Sequence, residues 1–281
     1  MAVDLHIHST ASDGTHTPEE IVATAISMGL TAIALADHDT TVGTEAALAA
    51  AEGTELIVIP AVEINTEVGR KDVHILGYHI DCTSSALQSV LASIREKRLD
   101  RGERIVKRLR NVGVDLDMSL VQEHAKGAAI ARPHIAAALC SIEVCKTSQE
   151  AFDRFLKRDR PAFVQRYKLS PQEAVQAVLD ADGVPVAAHP GLTGDDALIC
   201  GLVPAGLRGL EAYHVDHWPR ATERYLALAQ ELDLIVTGGT DSHGPLGPKR
   251  VRIGSIPVPD EVLAPLKAAA QRQRASAAEL R

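Results

Sequence analysis

Most of the chain's twelve histidines gather at or near the ends of short apolar runs. The stretch VDLHIHSTASDGTH, Val3 to His16, holds His6, His8 and His16 with Asp4 and Asp13. The same mixture returns at Asp37, His38 and Asp39 after AIALA, at Glu63 in VEI, and at His74 opening VHILGY. It returns again at His189 in AHP, at Glu211, His214 and His217, and at Asp241 and His243 in GTDSH. Neutral imidazoles with carboxylates make a good site for zinc, manganese or iron. Buried together without a cation they would be costly, because each lone pair and each charge would lack a partner. Two or three divalent ions about 4 Å apart could clamp a phosphoryl group and make hydroxide from water at neutral pH. A serine nucleophile fits less well. Ser9 and Ser242 neighbour histidines, but no G-x-S-x-G elbow is present, nor a P-loop, nor a well-placed G-x-G-x-x-G.

Such a cluster needs a scaffold that brings strand ends together. Seven short apolar runs read as strands: 3–8, 32–38, 56–64, 72–80, 184–190, 207–213 and 234–243. Helical patterns separate most of them. In TPEEIVATAISMGL, Thr17 reads as an N-cap, Pro18 as the first helical residue, Glu20 as the partner in a capping box and Gly29 as the stop. Further helices fit 41–53, 171–182 and 219–232. Strands alternating with helices imply an α/β fold with a parallel sheet, and seven of them suggest a distorted barrel. The mouth at the strands' C-terminal ends would then collect the polar residues. His6 and His8, two apart on a strand, face the same way, as do Asp241 and His243. The alternation stops between about Ser84 and Pro161, where the pattern is all helical. The expected organisation is a barrel of residues 1–83 and 162–281 with a helical insertion at 84–161.

Composition narrows the class. At 281 residues and 46% apolar content a sizeable core is available. The net charge of −8 argues against general nucleic-acid binding but leaves room for a local basic pocket. Cys82, Cys140, Cys145 and Cys200 lie at no zinc-finger spacing and suit a reducing compartment. No signal peptide and no transmembrane-length apolar run is legible, so the expectation is a cytoplasmic protein with no membrane and no obligate protein partner.

DLHIHSTASDGTHTPEE, ALADHDT, VEIN, HILGY, AHP and GTDSH, in that order, closely resemble the PHP (polymerase and histidinol phosphatase) family. The resemblance implies a distorted (β/α)7 barrel with a trinuclear metal centre. It assigns His6, His8, Glu63 and Asp241 to one ion, with Glu63 bridging to a second that His74 and His189 also hold. Asp13, His38 and His243 would hold the third, although many members carry histidine where this chain has Asp13. The ions implied are divalent, two or three per chain, Mn²⁺ first and Fe²⁺ or Zn²⁺ as alternatives. The helical insertion and its motif ARPHIA, with Arg132 and His134, resemble the branch of 3′,5′-nucleoside bisphosphate phosphatases and RNase AM-type 5′–3′ exonucleases. In that branch the insertion lies over the mouth and grips a 5′-phosphate, for which an arginine fork is suited.

The expected activity is therefore hydrolysis of the 3′-phosphate of a nucleoside 3′,5′-bisphosphate such as pAp, by a metal-bound hydroxide, leaving the 5′-nucleotide. The alternatives are a 5′–3′ exoribonuclease on short 5′-phosphorylated RNA, a histidinol-phosphate phosphatase, and a non-catalytic metal-binding module. His214 and His217 are candidate acids for the leaving group. Asp241 and His189 are expected to serve catalysis as well as metal binding. Arg132, His134, Lys168 and His217 are candidate substrate contacts. Trp218, the one tryptophan, could stack on a base. Asp37 and Asp39 could orient ligands, His16 reads as a neighbour of the N-cap, and the basic residues of 95–110 read as a solvated face.

Overall fold

A computed structural model of the chain describes residues 2–69, 71–125, 129–165, 169–247 and 250–279. The chain divides into two compact units, residues 1–90 with 169–281, and residues 91–168.

The first unit is built on β1 (Ala2–Ile7), α1 (Pro18–Ser27), β2 (Ala32–Leu35), α2 (Val42–Ala51), β3 (Ile57–Val68) and β4 (Lys71–Tyr78). Helix α3 (Ser85–Asn111) starts there and runs on into the second unit, which adds α4 (Met118–Ala125), α5 (Arg132–Ser141) and α6 (Ser148–Ala151), with one wide turn over Phe152–Leu156. The chain then returns to the first unit with α7 (Pro171–Leu179), β5 (Val184–Ala187), α8 (Pro190–Thr193), α9 (Asp196–Leu202), β6 (Gly209–His214), α10 (Pro219–Glu231), β7 (Ile235–Gly239), β8 (Val258–Pro259) and α11 (Leu263–Glu279).

The strands hydrogen-bond in the order β7-β6-β5-β4-β3-β2-β1-β8. Ile7 bridges Ser242 in parallel, and the His8 N–H donates to the Ser242 carbonyl at 2.9 Å. The sheet thus curls into a nearly closed α/β barrel. It is mixed rather than all parallel. The short β3–β4 connection turns at Gly69 (φ +63°), and strands joined so closely must run antiparallel. Strand β4 is therefore antiparallel to β3 and to β5, and its first residues lie at the mouth.

Local signals account for the helix starts. Thr17 and Glu20 form the capping box of α1, and Ser170 and Glu173 that of α7. Strand β1 changes phase along its length: its register against β2 shifts between Asp4 and Ile7. Val3 and Leu5 pack with Ala34, Ile59, Leu76, Val186 and the α11 residue Leu266. Ile7 instead joins Ile21, Val22, Ile33 and Leu35 under α1 and α2. The shift leaves His6 and His8 together on one face.

The second unit has its own core of Leu109, Leu116, Val121, Ile135, Leu139 and Leu156. Several basic groups of α3 are spent on backbone there. Arg101 donates to the Val164 carbonyl at 2.9 Å, Arg108 to that of Phe163 and Arg110 to that of Leu116 at 3.0 Å.

Candidate active site

The strand ends converge on one carboxylate. Glu63, on β3, is fully buried, and five imidazoles approach its two oxygens. Oε1 lies 2.7 Å from His74 Nδ1 and 3.0 Å from His189 Nε2. Oε2 lies 2.7 Å from His38 Nδ1 and 3.4 Å from Nε2 of both His6 and His8. The parallel bridge of His38 to Glu63 brings the end of β2 against β3. Asp241 closes the other side, its Oδ1 3.1 Å from His8 Nε2 and 3.6 Å from His6 Nε2. The two ring nitrogens of His6 and His8 face each other at 3.1 Å.

A further group forms around Asp13. His243 Nε2 lies 3.3 Å from Asp13 Oδ1, and His38 Nε2 lies 3.8 Å from Oδ2. The His8 and His243 rings stack with centroids 4.2 Å apart. Asp13 sits in a turn closed by the Gly14 N–H to the Ser9 carbonyl at 2.9 Å. A Cβ on Gly14 would lie 2.2 Å from the His8 carbonyl oxygen, so only glycine fits beside it. Asp13 is the most exposed of the set, at 46% of its side chain.

All nine residues that the sequence singles out as metal ligands thus meet at one end of the barrel. The subsets whose donor atoms lie within 4.8 Å of one another are His6, His8 and Asp241; His38, Glu63 and His74; and His8, Asp13, His38 and His243. His8 and His38 each stand between two groups, a sharing that the expected assignment, with Glu63 as its one bridging residue, does not contain.

Electrostatics follow the crowding. Burial pushes the Glu63 carboxyl up, but His38, His74 and His6 outweigh it and hold it well below the usual range. Asp241 and Asp13 are likewise held below the carboxylate range against their burial, by His6 and by His38 respectively. Burial pulls His38 down, yet Glu63 and Asp13 push it up to about 9. His8 goes the other way, lowered by burial and by His243 and His38.

Four buried carboxylates that carry no ligand assignment hold the site in place. Glu211, fully buried on β6, accepts from His6 Nδ1 at 3.0 Å on one oxygen and from the His189 backbone N–H at 2.7 Å on the other. It therefore fixes the proton of His6 on Nδ1 and turns the Nε2 lone pair toward the cluster. Asp4 accepts from Thr240 N at 2.9 Å, Thr240 Oγ1 at 2.7 Å and Gly254 N at 2.8 Å, anchoring the residue before Asp241. Asp37 takes the Ser9 N–H and hydroxyl at 2.8 and 2.7 Å, next to His8. Asp39 takes the Asn65 N–H at 3.0 Å and its side-chain amide at 3.2 Å, two residues past Glu63. The signal for Glu211 and Asp4 was a lone charge inside an otherwise apolar strand.

One of the two candidate acids needs correction. The Asp216 N–H donates to His214 Nδ1 at 3.1 Å, which leaves Nε2, 3.6 Å from Asp241 Oδ2, as the nitrogen that His214 presents to the site. His217 is spent altogether: Nδ1 donates to the Ala212 carbonyl at 2.8 Å, and Nε2 accepts the Gly191 N–H at 3.1 Å. Neither the acid role nor the substrate contact expected of His217 has a ring nitrogen left to perform it.

Arg132 and His134 open α5 in the second unit. Arg132 Nη1 donates to the Leu156 carbonyl at 3.3 Å, and its guanidinium lies 5.6 Å from the Phe152 ring centre. His134 Nδ1 accepts the Ala131 N–H at 3.2 Å, which leaves the ring proton on Nε2. Lys168 lies outside the described residues. Trp218 precedes α10 and is 82% exposed.

The donor set fits divalent cations. His8 Nδ1, His38 Nδ1, Glu63 Oε2 and His189 Nδ1 are buried without a hydrogen-bond partner. His38 Nδ1 and Glu63 Oε2 approach to 2.7 Å without hydrogen-bond geometry. Buried polar groups left unmade cost about 1–3 kcal/mol each, so such a concentration makes sense only around an ion that takes up the lone pairs. The model of the PHP domain family matches residues 4–168, more than half of the chain. The chain belongs to the PHP domain family. Among its relatives, the Eggerthella lenta phosphoribosyl 1,2-cyclic phosphate 1,2-diphosphodiesterase is 32% identical over 88% of this chain and 96% of its own. The Escherichia coli 5′-3′ exoribonuclease Rnm is 31% identical over 86% and 85%. The Chromobacterium violaceum 3′,5′-nucleoside bisphosphate phosphatase is 32% identical over 86% and 87%. A solved Bifidobacterium adolescentis protein described as a metal-dependent phosphoesterase superposes with a TM-score of 0.83 at 33% identity, covering 95% of this chain and 96% of that one. This PHP protein is accordingly a metal-dependent phosphoesterase, and the reading as a non-catalytic module falls away. Among its described residues, no helix is long and apolar enough to cross a membrane.

Proposed function

We propose that this PHP phosphoesterase removes the 3′-phosphate of nucleoside 3′,5′-bisphosphates such as pAp, releasing phosphate and the 5′-nucleotide. The observation that carries the reading is the convergence of nine donor side chains, Glu63 among them, beside the buried His214 ring. Two or three divalent cations, Mn²⁺ first among them, would be held by His6, His8, Asp13, His38, Glu63, His74, His189, Asp241 and His243. When bound, they supply the Lewis acidity that activates water and neutralises the phosphoryl oxygens.

The chain's own residues do the rest. Glu211 keeps His6 in the tautomer that presents Nε2. Asp241 and His189 border the reacting phosphate, and His214 Nε2–H donates to one of its oxygens, a fixed dipole in a water-poor site. Arg132, with its planar fork, and His134, with Nε2–H, are assigned to the 5′-phosphate on the ARPHIA motif and on the bisphosphate phosphatase among the relatives. Lys168 is kept as a further candidate contact to phosphate.

The second reading, 5′–3′ hydrolysis of short 5′-phosphorylated RNA, is favoured by the exoribonuclease relative. It uses the same residues on a diester. The test is product release by Mn²⁺-loaded protein from pAp, AMP, histidinol phosphate and a 5′-phosphorylated dinucleotide. Rapid phosphate release from pAp alone is expected. Preference for the dinucleotide would install the second reading, and preference for histidinol phosphate would overturn both. Arg132→Ala should raise KM for pAp about 10- to 100-fold, the loss expected of a charged hydrogen bond to phosphate, and leave histidinol phosphate turnover unchanged.

A further inference from the structure

The four most exposed large apolar side chains among the described residues are Leu246 at 83%, Trp218 at 82%, Val42 at 77% and Leu192 at 56%. Their positions are not random. Val42 lies four residues after His38, Leu192 three after His189, Trp218 four after His214 and Leu246 three after His243. Each follows the C-terminal end of β2, β5, β6 or β7, so all four ring the same mouth. Single exposed apolar residues are ordinary on a protein surface. A set of them bordering a charged centre marks a place where something apolar is received.

The backbone that carries Trp218 and Leu192 is tied down at the residue before each. The Gly191 N–H to His217 Nε2 bond ties the loop after β5 to the loop after β6, and His217 Nδ1 is tied to Ala212 in turn. A Cβ on Gly191 would lie 2.6 Å from His217 Cδ2, so the two loops pack with no room between them. Tyr225 supports the His217 ring from the other side, with centroids 5.0 Å apart. Leu192 and Trp218 are the next residues along from the two joined positions. Four residues span at most about 14 Å, which keeps the Trp218 Cα within that distance of the His214 Cα, and His214 Nε2 lies 3.6 Å from Asp241 Oδ2. His217, useless as an acid, thus has a task as the clamp of this rim.

We infer that Trp218, on the same rim as Leu192, is a stacking platform for the nucleobase of the substrate. The inference rests on the proposed nucleotide reading, and it deepens that reading by making the base a recognised part of the substrate. The flat π-face of any base can lie on an indole, so the platform gives affinity with little base preference. A rim contiguous with a phosphoester site favours this occupant over a second protein surface.

The single tryptophan makes the platform directly observable. Titrate Mn²⁺-loaded protein with AMP and, separately, with ribose 5-phosphate, following tryptophan emission. The two share sugar and 5′-phosphate and differ only in the base. AMP is expected to quench the emission and to bind about tenfold or more tightly than ribose 5-phosphate, the range that base–aromatic stacking supplies. Trp218→Ala should raise KM for pAp by a similar factor with kcat held, Trp218→Phe should restore most of it, and neither should change the inhibition constant of ribose 5-phosphate against pAp hydrolysis. Equal binding of the two ligands, with pAp still hydrolysed, overturns the platform and leaves the proposed activity standing. Failure to hydrolyse pAp, with AMP still quenching, does the reverse. Emission that changes with protein concentration and not with AMP would assign the rim to self-association and overturn the platform.

Discussion

Glu211→Gln should weaken cation binding without removing a single ligand. The two oxygens of Glu211 each take one donor, His6 Nδ1 at 3.0 Å and the His189 backbone N–H at 2.7 Å. A backbone N–H cannot reverse, so the amide oxygen of glutamine must stay with His189 and the amide NH₂ must face His6. His6 then has to accept on Nδ1 and move its proton to Nε2. That atom faces His8 Nε2 at 3.1 Å and Glu63 Oε2 at 3.4 Å, and its lone pair is the one a cation would use. Keeping the native tautomer instead leaves two N–H groups face to face in a buried site, at about 1–3 kcal/mol. Either route predicts a loss of about 10- to 100-fold in metal affinity, the range measured when residues that orient ligands are removed, equivalent to about 1.4–2.8 kcal/mol.

The assay is thermal unfolding across a Mn²⁺ series. A ligand that binds only the folded state stabilises it by RT ln(1 + [L]/Kd), so the variant's curve should be displaced by one to two decades toward higher Mn²⁺. A spectroscopic count of bound Mn²⁺ after dialysis checks the same quantity without activity. An unchanged Mn²⁺ dependence in Glu211→Gln would falsify the tautomer argument, whatever happened to turnover.

Metal-free protein should lose stability as pH rises. Burial lowers His38 but Glu63 and Asp13 raise it from 6.5 to about 9, so its contribution is complete below 6.5 and lost through about 9, while Glu63, Asp241 and Asp13, held low, lose theirs on acidification below their ordinary 3.8–4.5. Urea midpoints in chelator should peak between about pH 4.5 and 6.5, and excess Mn²⁺ should reverse the slope above that, because its ligands must be deprotonated; parallel slopes would contradict the reading. Gly239→Ala should abolish cation binding and destabilise by about 1–3 kcal/mol or more, because its Cβ would lie 2.3 Å from His6 Cβ and 2.4 Å from His6 N. Gly201→Ala, in α9 with nothing within 4 Å, should by contrast stabilise by up to about 1 kcal/mol, and both are read from urea midpoints.

The barrel was legible because its strands and helices follow simple periods: Thr17 and Glu20 cap α1 as their spacing requires. The clustering was legible because a barrel mouth must gather strand ends, which brings His6 beside Asp241 across 235 positions of chain. Four things were not. The antiparallel course of β4 was hidden in a short loop that alternation alone does not weigh. Strand β8 is two residues long and contains proline, too little pattern to see. The sharing of His8 and His38 between groups depends on contacts of 3–4 Å that side-chain types cannot convey. The roles of His214 and His217 turn on which ring nitrogen meets a backbone N–H, from Asp216 and from Gly191, and that is set by loop geometry with no sequence signature.

Asp39, His189 and Asp241 all take positive φ, at 54°, 26° and 52°, although none is glycine. Such positions cost of order 1–3 kcal/mol each and persist only where neighbours over-determine them. Here the neighbours are the buried carboxylates. The His189 N–H is held by Glu211, Asp39 grips Asn65 with its own carboxylate, and Thr240, just before Asp241, is held by Asp4. These groups therefore shape backbone as well as rings. Asp4→Asn tests this most sharply, because Asp4 is no candidate ligand and every group around its oxygens is a donor: Thr240 N, Thr240 Oγ1, Gly254 N and, at 3.4 Å, His6 N. An amide NH₂ among them leaves at least one backbone N–H unpaired, about 1–3 kcal/mol, and frees Asp241 to relax from its strained φ. The expected result is a rightward displacement of the Mn²⁺ series like that of Glu211→Gln. Asp195→Asn, which removes the charge from the half-exposed pair with Lys71 and keeps an amide oxygen to cap α9 at the Leu198 N–H, should leave the series where it was. If Asp4→Asn lowered stability equally with and without Mn²⁺, the carboxylate would be holding the fold alone and not the geometry of Asp241.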